Sequence, residues 1–118
     1  MTDPLATALA PEDQKLVTLA RATRGRTGGP DGAAVRDTDG RTYAAATLAL
    51  PSLSVSALGV CVAMAHSGGS AGLEAAVLLT DATEVAAGDL DALRDFAGPG
   101  VPVLLGDPRG AVTSSTTT

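Results

Sequence analysis

The side chains best suited to metal binding or nucleophilic catalysis are one cysteine and one histidine, each the only residue of its kind in the chain. Cys61 and His66 fall in the same predicted helix, and a spacing of five residues places them about 140° apart around its axis. Zinc in proteins takes at least three Cys, His or carboxylate ligands, so these two residues of one chain cannot clamp a metal together. We expect Cys61 to be an inert core thiol and His66 to favour the negative end of its helix.

Acidic side chains supply two further candidates. Asp89, Asp91 and Asp95 surround the start of the third predicted helix. Carboxylates favour the positive end of a helix, so capping and solvated charge are expected there rather than a hard-metal site. Asp81 and Glu84 follow an apolar strand, at the edge where α/β sheets often bind ligands. This pair is kept as a candidate site, with a surface loop as the favoured interpretation.

Length and composition limit the size of the protein, its partners and its compartment. The chain has 118 residues, the common size of one domain. Its net charge of −5 argues against nucleic acid as a partner, because phosphate binding needs an excess of Lys and Arg. A single cysteine excludes an internal disulfide and suits the reducing cytoplasm. The longest apolar stretch, residues 53–65, is too short to cross a membrane, and residues 1–10 do not resemble a signal peptide.

Local signals predict an α/β protein with the order α-β-β-α-β-α-β. Pro11 suits the first position of a helix, Asp39-Gly40 suits a hairpin turn, and the apolar run of residues 75–80 suits a central strand. The first predicted helix begins at Pro11 and is closed by an Arg cluster before Gly25 and Gly28. The other predicted elements are a hairpin over 33–36 and 41–43, a helix from Pro51-Ser52 to Ser67 capped by Ser52, a strand over 75–80, a helix from Gly88-Asp89 to Gly98, and a strand over 101–105 whose Pro102 favours a sheet edge. We expect residues 1–10 to be a flexible leader, 11–110 the domain and 111–118 a disordered tail.

The second predicted helix has apolar or small residues on every face. Such a helix must be buried all round. In a domain of this size, one layer of sheet cannot cover the whole helix. Its far side therefore predicts an interface, and we expect a homo-oligomer, either a dimer or a tetramer.

Three stretches resemble motifs of the cytidine deaminase family. Gly32-Ala33-Ala34-Val35 is similar to the family's V-G-A-A-L, Asp39-Gly40-Arg41-Thr42-Tyr43 to its D-G-R-x-Y hairpin, and Val101-Pro102-Val103-Leu104-Leu105 to its P-V-x-L strand. With the element order, the similarity covers roughly residues 11–110. It implies a three-layer α/β/α cytidine deaminase-like fold around a mixed sheet of about five strands.

The resemblance also implies where the family's chemistry would lie. These enzymes hold zinc by a Cys or His on one helix and a C-x-x-C pair on the next, and a glutamate two residues after the first ligand shuttles protons. Aligned with the family's C-A-E, the first ligand falls on Ser56 and the glutamate on Leu58. The C-x-x-C ligands fall on Ala87 and Leu90, with Gly88 between them.

The substrate contacts that the resemblance implies are replaced as well. The family's N-x-E pair falls on Thr47 and Ala49, and its pyrimidine-stacking Phe falls on Gly29. The candidate vestigial pocket comprises Thr47, Ala49, Ser56, Leu58, Ala87, Gly88 and Leu90.

These replacements predict a cytidine deaminase-like protein without zinc ligands, cofactor or catalytic glutamate, a pseudoenzyme acting as a scaffold or as a regulatory or assembly subunit. One alternative is a protein that binds pyrimidine nucleosides in a partial pocket lined by Thr47, Ser56 and Gly88. Another is an active cytidine deaminase, a hydrolase whose zinc is held by ligands that the sequence does not identify. The sequence names no protein partner.

Overall fold

Helix α1, Pro11–Thr27, is the first element of the computed structural model, which describes residues 9–118. It begins at a proline, whose missing N–H has no partner to lose in the first turn of a helix. It ends where Gly28 adopts a left-handed conformation (φ 68°) and donates its N–H to the Arg24 carbonyl at 2.9 Å. The predicted leader, residues 1–10, lies outside the described residues except for its last two.

Three helices and seven strands follow one another within residues 9–118. They are α1 (Pro11–Thr27), β1 (Gly32–Asp37), β2 (Thr42–Ala46), β3 (Leu48–Leu50), β4 (Leu53–Val55), α2 (Ala57–Ser67), β5 (Leu73–Leu79), α3 (Ala87–Ala97), β6 (Pro102–Gly106) and β7 (Val112–Thr117). Five strands form one sheet in the order β2-β1-β5-β6-β7, in which only β5 and β6 run parallel, and β3 and β4 form a separate hairpin. The predicted α/β class and five-stranded mixed sheet are confirmed. No helix in this part of the chain combines the length and hydrophobicity needed to cross a membrane.

Helices cover both faces of the sheet because the side chains of each strand alternate between two cores. On β5, Val77 and Leu79 belong to a buried cluster with Leu16 and Val17 of α1. Leu78, between them, belongs to the other cluster, which contains the buried residues of α2 and α3. The predicted three-layer α/β/α arrangement is therefore confirmed.

The close packing of α1 on the sheet depends on a glycine at the start of β1. A Cβ atom at Gly32 would overlap the carbonyl oxygen of Ala20 and would lie 2.7 Å from the Cβ of Arg24. The Ala20 oxygen belongs to the backbone and the Arg24 Cβ is bonded directly to it, so neither contact can be relieved without moving the helix. The small residues of the G-A-A-V motif thus bring α1 and β1 together.

The prediction of a disordered tail over residues 111–118 is wrong, because Val112–Thr117 form β7, the last strand of the sheet. This strand pairs antiparallel with β6, and threonine, its main constituent, favours strands. Thr118 is buried as well: its hydroxyl donates to the Gly98 carbonyl at 2.7 Å and accepts the Val101 N–H at 3.0 Å. Backbone pairing orders this polar segment while its outward side chains stay in solvent.

β7 also changes the position of Pro102 in the sheet. The sequence favours a sheet edge for this residue, but β6 lies between β5 and β7. Pro102 is instead the first residue of its strand, another position where a proline does not interrupt the ladder of hydrogen bonds.

The second helix begins later than the sequence predicts. α2 starts at Ala57 with Ser56 as its N-cap, not at Pro51 with Ser52 as the cap. Pro51 and Ser52 form the turn of the β3–β4 hairpin, whose strands pair over three residues each. The apolar residues of these short strands continue into the helix without a break in composition, so the boundary is not visible in the sequence.

Candidate functional site

The N-terminal ends of α2 and α3 meet through a hydrogen bond between two side chains. Ser56, the N-cap of α2, donates its hydroxyl hydrogen to Oδ1 of Asp89, in the first turn of α3, at 2.6 Å. Ser56 Oγ also accepts the N–H of Gly59 at 3.0 Å, which is the usual N-cap interaction. The single hydrogen of this hydroxyl is therefore directed at Asp89.

Leu58, at the position that the resemblance assigns to the proton-shuttling glutamate, is a core residue. Its side chain is fully buried and belongs to the cluster that joins α2, α3 and the sheet. A leucine can neither donate nor accept a proton. Its burial holds α2 against the sheet.

The residues of α3 that the resemblance assigns to metal binding carry no metal-binding side chains. Ala87 and Gly88 are exposed in the first turn of the helix. Leu90 is half-buried against the core and lines a cavity of about 240 Å³ beside β6 and β7. The residue of α3 that contacts Ser56 is Asp89, for which the sequence pattern indicates only helix capping.

Thr47 and Ala49, where the resemblance places substrate contacts, differ in their surroundings. Thr47 connects β2 to β3 and donates its N–H to the Asp31 carbonyl at 3.3 Å. Its Oγ1 atom is buried without a hydrogen-bond partner among the described residues, whereas Ala49 is exposed on β3. A buried polar group without a partner is uncommon and costs about 1–3 kcal/mol. Thr47 Oγ1 is therefore a hydrogen-bonding group that the described part of the protein leaves unused.

Cys61 and His66 lie in different surroundings and contact different partners, as their spacing predicts. Burial raises the pKa of Cys61 to about 12, so the side chain is a neutral thiol, whose sulfur lies 3.7 Å from the Tyr43 carbonyl oxygen. His66 is exposed, and its ring packs edge-on against Phe96 with the ring centroids 5.4 Å apart. Within residues 9–118, no three His, Cys, Asp or Glu side chains are grouped so that they could hold a metal ion.

Asp37 is a fully buried carboxylate whose oxygens are both engaged in hydrogen bonds. Oδ2 accepts from Ser70 Oγ at 2.6 Å, and Oδ1 accepts the N–H groups of Asp39 and Arg41 at 2.9 and 2.8 Å. The Tyr43 hydroxyl lies 3.2 Å from Ser70 Oγ and donates to it, because the Ser70 hydrogen points to Asp37. The bond from Ser70, followed by those from the backbone of Arg41 and Asp39, holds the pKa of Asp37 below its ordinary value. A carboxylate held in this way stabilises the turn and is a poor proton acceptor.

A cleft of about 550 Å³ lies between α2 and α3. Its lining includes His66, Ser70, Asp95 and Phe96. Among these described lining residues the one hydroxyl, on Ser70, donates to Asp37 and not to His66. The cleft therefore presents no serine activated by a neighbouring histidine.

Asp81 and Glu84, the acidic pair suggested by the sequence, do not converge on one site. Both are exposed in the loop between β5 and α3. Asp81 lines a cleft of about 360 Å³ together with Asp107, whereas Glu84 lines the cavity of about 240 Å³ beside Leu90. This division agrees with the surface-loop interpretation.

Comparison with known proteins adds independent information about the fold. The family model described as cytidine deaminase-like matches residues 9–110, and no curated protein matches the chain. The structure is similar to that of cytidine deaminase from Burkholderia pseudomallei, with a TM-score of 0.76 and 18% identity, covering 87% of this chain and 90% of that one. For cytidine deaminase from Mycobacterium leprae the values are 0.70 and 20%, with 92% and 94% covered. For the enzyme from Mycobacterium tuberculosis they are 0.66 and 19%, with 88% and 92% covered.

The match to the family model includes α1, both helix ends joined by Ser56 and Asp89, and the strands up to β6. The identities to the solved structures are low, so these structures show the shared fold. The family model matches residues 9–110, which is most of the sequence. The chain belongs to the cytidine deaminase-like family.

Proposed function

We propose that this protein is a non-catalytic member of its family that serves as a scaffold or as a regulatory or assembly subunit. The observation that carries the proposal is the hydrogen bond between Ser56 and Asp89. It joins the two helix ends at which the family's zinc ligands converge. Leu58, buried two residues after Ser56, replaces the group that would move protons.

The donors at these helix ends do not fit a zinc ion. Catalytic zinc takes three protein ligands, whereas Ser56 and Asp89 offer one hydroxyl and one carboxylate that already bond to each other. Ala87 and Leu90 add no donor atoms from their side chains. A positioned acid or base contributes about 10²–10⁴-fold to the rate of such reactions, and Leu58 cannot supply this contribution.

Exposed apolar side chains of the β3–β4 hairpin support a role in assembly. Val60, Val62 and Met64 of α2 are only partly buried, and Leu50 and Leu53 of the β3–β4 hairpin are 56% and 53% exposed. Leu50 and Leu53 are cross-strand partners, and contiguous exposed apolar surface marks interaction sites. An isolated two-stranded hairpin is also only marginally stable without cover. In the proposed assembly a second copy of the chain covers this surface, in a dimer or a tetramer.

The proposal places the protein in the cytoplasm, with proteins rather than nucleic acids or membranes as partners. A net charge of −5 disfavours phosphate-rich surfaces. The buried Cys61 thiol needs no oxidising compartment.

Zinc content and deaminase activity test the proposal directly. Protein purified without chelators is analysed for metal by mass spectrometry and incubated with cytidine, with a known cytidine deaminase as the positive control. We expect substoichiometric zinc and no uridine. Stoichiometric zinc together with conversion of cytidine to uridine would refute the proposal.

A second candidate function, the binding of a pyrimidine nucleoside, is favoured by Thr47. Its Oγ1 is buried without a hydrogen-bond partner among residues 9–118 and lies at a position where the resemblance places a substrate contact. A ligand hydroxyl or carbonyl could satisfy this atom and remove the cost of leaving it unpaired.

Thermal unfolding with cytidine, uridine and adenosine tests the second candidate. A ligand at a hundredfold over its dissociation constant stabilises the native state by about 2.7 kcal/mol, which raises the melting temperature by several degrees in a domain of this size. Binding through Thr47 predicts a shift with the pyrimidines that Thr47→Val abolishes. The absence of any shift leaves the scaffold role alone.

A further inference from the structure

The contact between Ser56 and Asp89 connects two helices that are far apart in the sequence. The two residues are separated by 33 positions, yet their side chains meet at 2.6 Å. Ser56 is the N-cap of α2 and Asp89 lies in the first turn of α3. Hydrogen bonds to a charged acceptor are shorter and about twice as strong as those between neutral groups. The bond therefore ties the N-terminal end of one helix to that of the other.

We infer that this hydrogen bond is a clasp that takes over the structural role that zinc has in the family's active enzymes. A metal held by ligands from two helices contributes folding free energy as well as chemistry, because its site exists only in the folded chain. In this protein the Ser56–Asp89 pair connects the same two helix ends through a direct hydrogen bond. The inference rests on the proposed non-catalytic function, since a metal bound there would take Asp89 away from Ser56.

Gly59 provides a second, independent sign that the position of Ser56 is constrained. A Cβ atom at residue 59 would lie 2.9 Å from Ser56 Oγ and 2.9 Å from Cγ1 of Val55. A side chain there would displace the hydroxyl that reaches Asp89. The absence of a side chain at this position thus allows the cap and the clasp to form from one oxygen.

A double-mutant cycle measured by urea unfolding tests the clasp. We expect Asp89→Ala to raise the unfolding equilibrium constant about 10- to 100-fold in the wild-type background, the usual effect of losing a hydrogen bond to a charged group. In the Ser56→Ala background the same substitution should change it little, because the partner is already absent. Asp91→Ala is the matched control, since Asp91 contacts only the exposed Arg94, at 3.3 Å, among the described ion pairs, and it should behave alike in both backgrounds.

Ser56→Ala also removes the N-cap of α2, so Ser56→Gly provides a second cycle that remains readable if the alanine variant does not fold. Glycine is nearly as good as serine at an N-cap, and the coupling with Asp89→Ala should persist. Additive effects in the glycine cycle would overturn the clasp.

Repeating the cycle with EDTA and with added zinc separates this inference from the proposed function. The clasp predicts the same unfolding midpoint in both. Stabilisation by zinc that Asp89→Ala abolishes would overturn the clasp, and conversion of cytidine to uridine by the zinc-loaded protein would overturn the non-catalytic function as well. An additive cycle without any zinc effect would overturn the clasp alone.

Discussion

Ser70 Oγ donates a 2.6 Å hydrogen bond to Oδ2 of Asp37, a residue that lies 33 positions earlier in the chain. This bond connects the loop after α2 to the turn between β1 and β2. Both residues are buried, and in a low-dielectric interior such a bond is stronger and its loss more costly. The D-G-R-x-Y turn is thus held by a contact with a distant segment as well as by its own backbone.

Replacing Asp37 with asparagine should flatten the acid side of the stability profile. The pKa of Asp37 lies below its ordinary value of 3.8 in the folded protein, so the unfolded chain binds the proton first as the pH falls. The contribution is therefore complete above the ordinary value and is lost as the pH drops through the folded-state pKa. Urea midpoints of wild type and Asp37→Asn between about pH 2 and pH 6 measure this effect.

The exposed Asp39 provides the matched control for this measurement. Asp39→Asn should retain the wild-type dependence on pH, since only its backbone N–H bonds to Asp37. Parallel profiles for wild type and Asp37→Asn would show that the buried carboxylate does not contribute as argued.

Gly32→Ala should destabilise the protein, whereas Gly25→Ala should stabilise it. A Cβ at residue 32 would overlap the Ala20 carbonyl, and overpacking of this kind costs about 1–3 kcal/mol. A Cβ at residue 25, within α1, would have no atom within 4 Å, and alanine is favoured over glycine in a helix by about 0.5–1 kcal/mol. Urea unfolding of both variants measures the two signs, and a Gly32→Ala protein as stable as wild type would contradict the close approach of α1 to β1.

Local signals predict the elements that are encoded by neighbouring residues. Proline at the start of α1, the Asp-Gly turn between β1 and β2 and the apolar run of β5 each specify structure within a few positions. The β3–β4 hairpin is missed because its apolar residues run on into α2. The polar run of β7 resembles a disordered tail because strand pairing with β6 depends on backbone groups, which the sequence does not display.

The candidate site shows the same limit. The resemblance identifies Ser56 and Leu58, since they align with a compact motif. The partner of Ser56 depends on how α2 and α3 pack, and this is set by contacts distributed over the whole core. One signal was available: Asp89 is the one side chain among residues 86–90 that carries a hydrogen-bonding group.

Charged substitutions in the β3–β4 hairpin should weaken the proposed self-association. Leu50 and Leu53 are cross-strand partners and more than half exposed, and burying one such side chain contributes about 1.5–3 kcal/mol. We expect the wild-type protein to be oligomeric at micromolar concentration and Leu50→Lys to shift it toward monomer. Size-exclusion chromatography with light scattering measures the mass.

Leu19 offers a matched control for the hairpin, because it is also an exposed leucine (37%) but lies on α1. Leu19→Lys should leave the mass unchanged. A wild-type protein that is monomeric at micromolar concentration would contradict the proposed assembly, and an equal effect of both substitutions would place the interface elsewhere.

Removal of residues 112–118 should cause a large loss of stability. The deletion removes β7, exposes the edge of β6 and eliminates the buried side chain of Val112, which alone contributes about 1.5–3 kcal/mol. It also removes both hydrogen bonds of the Thr118 hydroxyl, at about 0.5–1.5 kcal/mol each. These losses reach the lower end of the total stability of a small domain, about 5–15 kcal/mol, and the backbone pairing between β6 and β7 is lost in addition. We therefore expect circular dichroism to show a shortened chain that is largely unfolded at room temperature or has a much lower urea midpoint.

Thr117→Ser, a substitution at an exposed position of the same strand, is the control for this deletion and should unfold close to wild type. A shortened chain with the wild-type midpoint would mean that β7 adds nothing to the sheet and that the polar segment behaves as the tail its composition suggests.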